Sequence, residues 1–228
     1  MPRQHGERGD GIVEHLRDGV RRGRYVPGQR LIEADMTAEL GVSRGLLREA
    51  FRRLAAEGLI EIVPNRGALV RRLSLQDALE LFEIRLELEA LAARRAASAP
   101  EAARRQFIKD VSYIWDNQPR VSASAYISEN QNFHAAIFTL AGSGQLIQLN
   151  TQLQLSLIMA QISPSLTAEV IAQSIQEHRA IAEAIENGDP VAADAASRAH
   201  LGRARDMVVK MPSDVFRQSL HGDVETVS

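Results

Sequence analysis

Residues Leu31 to Val70 read LIEADMTAEL GVSRGLLREA FRRLAAEGLI EIVPNRGALV. A short helix pattern, Glu33 to Leu40, stops at Gly41. Ser43 has the chemistry to cap a second helix, and Glu49 and Glu57 suit its solvent face. Within it Leu46, Leu47, Ala50, Phe51, Leu54 and Ala55 recur at three- and four-residue steps, the pattern of an amphipathic helix. Arg44, Arg48, Arg52 and Arg53 fall on the polar face, and Gly58 ends the helix. Two β-like runs follow, Leu59 to Val63 and Ala68 to Arg72, joined by the turn residues Pro64-Asn65-Arg66-Gly67. Helix, tight turn, arginine-bearing helix and hairpin make the order of a winged helix-turn-helix. A helix fits the DNA major groove, and an arginine near its N-terminal end can form two parallel hydrogen bonds to guanine O6 and N7. The residues expected to touch DNA are Ser43, Arg44 and Gly45 at that end, Arg48 one turn on, and Arg66 and Gly67 at the wing tip. The same stretch also fits an arginine-rich surface helix in a small helical domain, and the pattern alone does not separate the two.

The chain has 228 residues, enough for one large or two small domains with a real core. Its hydrophobic content of 45% and charged content of 25% are ordinary for a globular protein, whereas an aromatic content of 4% leaves a core of Leu, Ile, Val and Ala, as in helical bundles. There is no cysteine, which excludes disulfides and thiolate metal sites and is compatible with a reducing cytoplasm. No apolar run approaches the roughly 18 residues of a membrane span, and Met1 to Asp10 lacks a signal-peptide core. The net charge of −2 hides an asymmetry: residues 1–72 hold 14 Arg against 10 acidic residues, a balance of +4, and the rest of the chain is acidic. A basic front joined to an acidic rear suits a polyanion-binding domain attached to something that does not bind DNA.

Residues 9–73 are therefore expected to form a winged helix-turn-helix domain, entered through a first helix with Ile12, Val13, Leu16 and Val20 on one face. Met1 to Gly11 reads as a disordered arm. From Ser74 the pattern is helices alone. Six are expected, at about 74–98, 101–117, 122–141, 145–162, 167–187 and 191–210, with Pro100, Pro119, Gly142-Ser143-Gly144, Ser163-Pro164 and Gly188-Asp189-Pro190 as the breaks. Short loops between long helices make antiparallel neighbours, hence an all-α bundle over residues 74–211. Residues 212–228 read as a mobile tail or one short extra helix.

Three of the six histidines fall inside bundle helices. Asn130 and His134 stand one turn apart on one face. His178 lies 11 residues before the turn at Asp189 and His200 lies 11 after it. At about 1.5 Å per residue each is some 16 Å from the turn, so an antiparallel hairpin brings both to one height. Neutral imidazoles with an oxygen donor suit a divalent transition metal such as Zn, Ni, Mn or Fe. They suit equally a pH-sensitive polar core. Arg85 lies in line with Ala78, Leu81, Phe82, Leu88 and Ala92, on an apolar face, where its charge needs a partner. Glu89 at i+4 is one partner; a bound carboxylate, matched by two parallel hydrogen bonds, is another.

Particular residues go further than the pattern. GVSRGLLREAFRRLAAEGLIEIVPNRGALV closely resembles the recognition helix and wing of GntR-family transcription regulators, with Gly45-Leu46 where that family usually has Thr-Pro. Asn130-Gln131-Asn132-Phe133-His134 resembles the family's Asp/Asn-x-x-Phe-His motif. Glu177-His178-Arg179-Ala180-Ile181, continued by Ala184 to Asp189, resembles its second motif, and Ala199-His200-Leu201 its third. Together these are similar to the FCD effector domain of the FadR subfamily, over about residues 10–210. The resemblance implies a divalent metal on Asn130, His134, His178 and His200. It further implies a small carboxylate effector held with the help of that metal and of Arg85, which resembles the arginine of an Arg-x-x-x-Glu pattern in this helix.

The expected function is a metabolite-responsive transcription regulator, a repressor, working as a homodimer on a pseudo-palindromic double-stranded operator, since one winged domain covers one half-site. The alternative is a metal-dependent helical-bundle enzyme with an accessory nucleic-acid-binding domain; no carboxylate in the bundle shows a motif for its general base. A nonspecific architectural protein would have no use for base-reading arginines.

Overall fold

The computed structural model describes residues 3–21, 23–64, 67–116, 123–153 and 155–217. Helix α1 (Arg3–Arg21) lays Ile12, Val13, Leu16 and Val20 into the core. It begins well before Ile12, which corrects the expectation of a disordered arm up to Gly11. Those first residues carry no apolar stripe, so periodicity could not reveal them. Instead Asp10 is tied to Arg53 at 2.6 Å, and Arg17 reaches Glu57 at 2.7 Å, so polar contacts dock this helix on the next layer.

Strand β1 (Arg30–Leu31) leads into α2 (Glu33–Leu40), and Gly41, at φ 63°, makes the tight turn. Helix α3 (Arg44–Ala56) starts at Ser43, whose Oγ accepts from the Leu46 N–H at 3.3 Å. Leu47, Ala50, Phe51 and Leu54 are its buried face, packed on α1 and α2. Strands β2 (Ile60–Val63) and β3 (Gly67–Val70) form the wing hairpin, and the sheet order is β1-β3-β2, all antiparallel. β1 escapes sequence reading because two residues carry no alternation. Gly67, at φ 93°, is buried so close under β1 that a Cβ would stand 2.2 Å from the Leu31 carbonyl oxygen.

Eight α-helices follow among the described residues. α4 (Leu75–Ala97) opens with a reciprocal cap between Ser74 and Asp77. Its Ala-rich buried face, including Ala78, Ala90, Ala93 and Ala97, admits a close approach of α11 (Pro190–Val209). α5 (Glu101–Val111) and α6 (Tyr113–Asp116) divide the expected 101–117 helix at Ser112, and Asn117 lies outside the described residues. α7 (Ala123–Leu140) is followed by α8 (Gly144–Gln152) and α9 (Leu155–Ile162), two helices where one was expected. α10 (Ala168–Glu186), capped by Thr167, and α11, capped by Asp189 with Pro190 in its first turn, form the antiparallel hairpin. No helix among the described residues is long and apolar enough to cross a membrane.

The two parts meet at a junction that no local pattern foretold. Gln161 of α9 accepts from the Leu73 N–H at 2.9 Å and donates to the Leu73 and Val215 carbonyls at 2.9 and 3.1 Å. Ser213–Val215 is a short 3-10 turn, Phe216 is buried, and the Arg217 N–H donates to the Leu73 carbonyl at 3.0 Å. The chain after Pro212 thus packs back against the segment joining wing and bundle, as far as Arg217, rather than running free.

Candidate functional site

Ser43, Arg44, Gly45 and Arg48 are all exposed at the start of α3. Arg48 donates through Nε to both Glu33 oxygens, at 2.9 and 3.0 Å. That hydrogen bond, outweighing a small desolvation effect and joined by the charge of Arg44, holds the Glu33 carboxyl below its ordinary range. Arg44 and Arg48 therefore converge on one negative group at the outer edge of α3. Arg52 pairs with Glu49 at 2.8 Å, and Arg53 is engaged by Asp10. Gly67 supports the wing from beneath. Arg66 lies outside the described residues.

The second site forms where α4, α7, α10 and α11 cross. His134, His178 and His200 are all buried, with ring centroids 4.7 to 5.4 Å apart. One nitrogen from each lies within 4.8 Å of the others. Helical register produces this: His178 and His200 face each other across the α10–α11 hairpin, and α7 brings His134 over them. Phe133 stacks on His178 at 4.4 Å and closes one side.

The rings are not equivalent. Glu89 Oε2 stands 2.6 Å from His134 Nδ1, a close approach without the alignment of a hydrogen bond. Glu177 Oε2 lies 2.8 Å from His200 Nδ1 and fixes that ring. His178 has neither: both its nitrogens are buried without a hydrogen-bond partner among the described residues. Burial, followed by repulsion from the neighbouring rings and arginines, holds His178 well below the ordinary histidine range. His134 is pushed down to about 4, chiefly by burial, with Glu89 opposing. Both rings are thus neutral at neutral pH, the form that offers a lone pair to a metal.

Arg85 and Glu89 are buried and bonded at 2.5 Å. Burial would raise the Glu89 carboxyl, but the charge of Arg85 and contact with His134 prevail and bring it down to about 2. Asn130 is buried one turn from His134, its Oδ1 3.4 Å from the Tyr126 hydroxyl, which lies closer to Ser174 Oγ at 2.8 Å. Arg203 holds both oxygens of Glu177 and donates to Ser174 Oγ at 3.2 Å. Tyr126, Ser174, Glu177 and Arg203 were missed by sequence reading. The one available signal was spacing, since Ser174 and Arg203 each lie one turn from a histidine.

The donor set fits a divalent ion. A buried ring with two unpartnered nitrogens costs stability unless something accepts its lone pair. Three converging imidazoles offer that geometry, with Glu89 and Glu177 orienting two of them, as outer partners of metal-ligating histidines do.

Comparison with known proteins closes the question of kinship. Residues 8–70 match the family of bacterial regulatory proteins called gntR, and residues 80–203, more than half of the chain, match the FCD domain. The probable D-xylose utilization operon transcriptional repressor of Paenarthrobacter nicotinovorans is 33% identical over 190 residues, covering 80% of each chain. Among solved structures, E. coli McbR/YncC superposes with a TM-score of 0.76 at 17% identity, covering 88% of this chain and 96% of that one. A putative GntR regulator from Rhodococcus sp. RHA1 gives 0.74 at 22% identity, with 89% and 98% covered. These two likenesses establish the fold: a winged helix-turn-helix followed by a helical domain. With the family models and the repressor relative, they make this chain a transcription regulator, not an enzyme, and a member of the GntR family with an FCD domain.

Proposed function

We propose that this regulator binds a pseudo-palindromic operator as a homodimer, represses transcription from it, and is controlled by a small carboxylate held beside a divalent metal. In this reading residues 9–73 bind DNA, residues 74–211 sense, and the chain from 212 is a tail that is packed on the junction as far as Arg217. His134, His178 and His200, with the Asn130 amide oxygen, hold Zn, Ni, Mn or Fe. The observation that carries the reading is His178, fully buried with both nitrogens unpartnered and two further imidazoles in reach. When bound, the metal supplies Lewis acidity and open positions for an anionic oxygen.

Charge supports the anion. Arg85 with Glu89 and Arg203 with Glu177 cancel in pairs, and His134 and His178 are neutral. A dication therefore leaves the buried cluster with an excess of two positive charges, because residue 130 is Asn and not Asp. An excess buried charge is unfavourable until an anion compensates it. At the other end of the molecule, Arg44 and Arg48 read bases beside Ser43 and Gly45, and Arg66 and Gly67 set the wing on the backbone. Glu33 occupies Arg48 in the absence of DNA, and the DNA takes its place. Repression accords with the name of the Paenarthrobacter relative, and a cytoplasmic location with an operator as target.

The test is thermal unfolding of chelator-treated protein with and without added zinc or nickel. A stabilisation of several degrees is expected, and His178→Ala loses most of it. Equal stabilisation of the parent and of a variant with all three histidines replaced by alanine would remove the metal from this site.

A further inference from the structure

Four helices step away from the histidines in the same direction, and the residues they present change together. On α4 the turns read Glu89, Arg85, Phe82; on α7, His134, Asn130, Tyr126; on α10, His178, Ser174, Val170; on α11, His200, Arg203, Met207. The α10–α11 hairpin is antiparallel, so descending residue numbers on one and ascending numbers on the other run the same way. The result is three layers about one helical turn apart, roughly 5.4 Å. The first is ionisable, the second polar, and the third apolar apart from the Tyr126 hydroxyl. A cavity runs from His200 in the first layer past the second, with Arg85 and Arg203, to the third, with Tyr126, Val170 and Met207. Met159, Ile162 and Leu166 complete the apolar wall.

We infer that the effector is a monocarboxylate with a compact apolar body, aliphatic or single-ring, and neither a polyhydroxylated sugar acid nor a dicarboxylate. The inference rests on the reading of this cavity as the effector site. The carboxylate belongs to the layer of Arg85 and Arg203 beside the histidines. Everything beyond it lies in the third layer, where the one hydroxyl, that of Tyr126, is already donated to Ser174 Oγ at 2.8 Å. There a ligand hydroxyl could find only the Tyr126 oxygen as an acceptor, several hydroxyls would exceed it, and a second carboxylate would meet no free donor, which selects against both. The free space is about 30 Å³, a water or two, so the body must be small and the wall must yield. Met159 and Met207 supply that yield, because unbranched thioether side chains reshape at little cost.

The experiment is calorimetric titration of zinc-loaded full-length protein with isovalerate, hexanoate and phenylacetate, against gluconate, succinate and the uncharged isovaleramide. At least one of the three apolar acids is expected to bind tenfold or more tighter than gluconate and succinate, and isovaleramide to give no heat. Val170→Asn, at a partly exposed position, narrows that preference at least tenfold while zinc-dependent thermal stabilisation persists. Gluconate or succinate binding as tightly as the apolar acids, and weakened by Arg203→Gln, would overturn the apolar class while sustaining the cavity as the effector site. Binding of no acid, or binding equal in Arg85→Gln and Arg203→Gln, would overturn the effector reading of the cavity and this inference with it.

Discussion

Replacing Glu89 by Gln isolates the electrostatics of the buried cluster. The side chains of Arg85 and Glu89 are only 5% and 4% exposed, and they meet at 2.5 Å. Gln keeps the shape and one acceptor oxygen but removes the negative charge, so the Arg85 guanidinium is left buried and uncompensated. Breaking a buried pair in this way costs about 3–5 kcal/mol. The cavity beside Arg85 has room for only a water or two, which cannot replace the lost charge. Removing both charges together, as Arg85→Met/Glu89→Leu, leaves nothing uncompensated and should return stability to within about 1 kcal/mol of the parent. Trp115, the chain's single tryptophan, sits in α6 and reports the helical domain directly. The assay is urea unfolding of metal-free protein at pH 7.5, followed by its fluorescence. A loss below about 1 kcal/mol in Glu89→Gln, or a double variant no more stable than the single one, would refute the assignment of Arg85 and Glu89 as a mutually dependent pair.

Other outcomes follow from the same geometry. Metal-free protein should lose stability as pH falls from 6.5 towards 4. His134 has its pKa lowered from 6.5 to about 4, so the unfolded chain takes up its proton first and the loss levels off below 4. That ring alone contributes about 3 kcal/mol to the loss, with Glu89 adding a further loss below its ordinary value of 4.5. Flat stability over that window, in pH-jump denaturation, would mean the rings are solvated. Glu33→Gln should tighten operator binding by about two- to fivefold by freeing Arg48 and removing a negative charge, a modest gain because exposed ion pairs are weak. Arg48→Ala should weaken operator binding far more than binding to random DNA, and equal losses in a mobility-shift comparison would reduce Arg48 to a phosphate contact. Gly67→Ala should destabilise the wing, because its Cβ would meet the Leu31 carbonyl at 2.2 Å; exchange protection of the β3 amides reads this, and unchanged protection would contradict the packing.

Much of this architecture is legible in the amino-acid order because its causes are local. Leu47, Ala50, Phe51 and Leu54 mark the buried face of α3, and Ser43 caps it. Proline and glycine mark most helix ends. His178 and His200 are equidistant from the turn at Asp189, and simple rise per residue brings their rings to 4.7 Å. What escapes has a different cause. The polar docking of α1 comes from Asp10 and Arg17 reaching residues some 40 positions away, the latter with |i−j| of 40. α8 ends at Gln152 and α9 begins at Leu155, a break for which the sequence offers no proline or glycine. Gln161 seeks backbone 88 residues earlier in the chain. Glu177 and Arg203, on neighbouring helices, find each other and His200 only once the hairpin has closed. Histidines announce themselves by residue type; the glutamates and arginines that orient them look like ordinary solvated charges until the helices are packed.

The central claim is that three imidazoles converge on one ion. Its most direct test is anomalous diffraction from crystals of protein purified without chelator, collected across the absorption edges of iron, nickel and zinc. The account predicts one anomalous peak per chain, about 2.0–2.1 Å from a nitrogen each of His134, His178 and His200 if the ion is zinc. A chain with no peak there, and with His178 nitrogens bonded to ordered water instead, would contradict it.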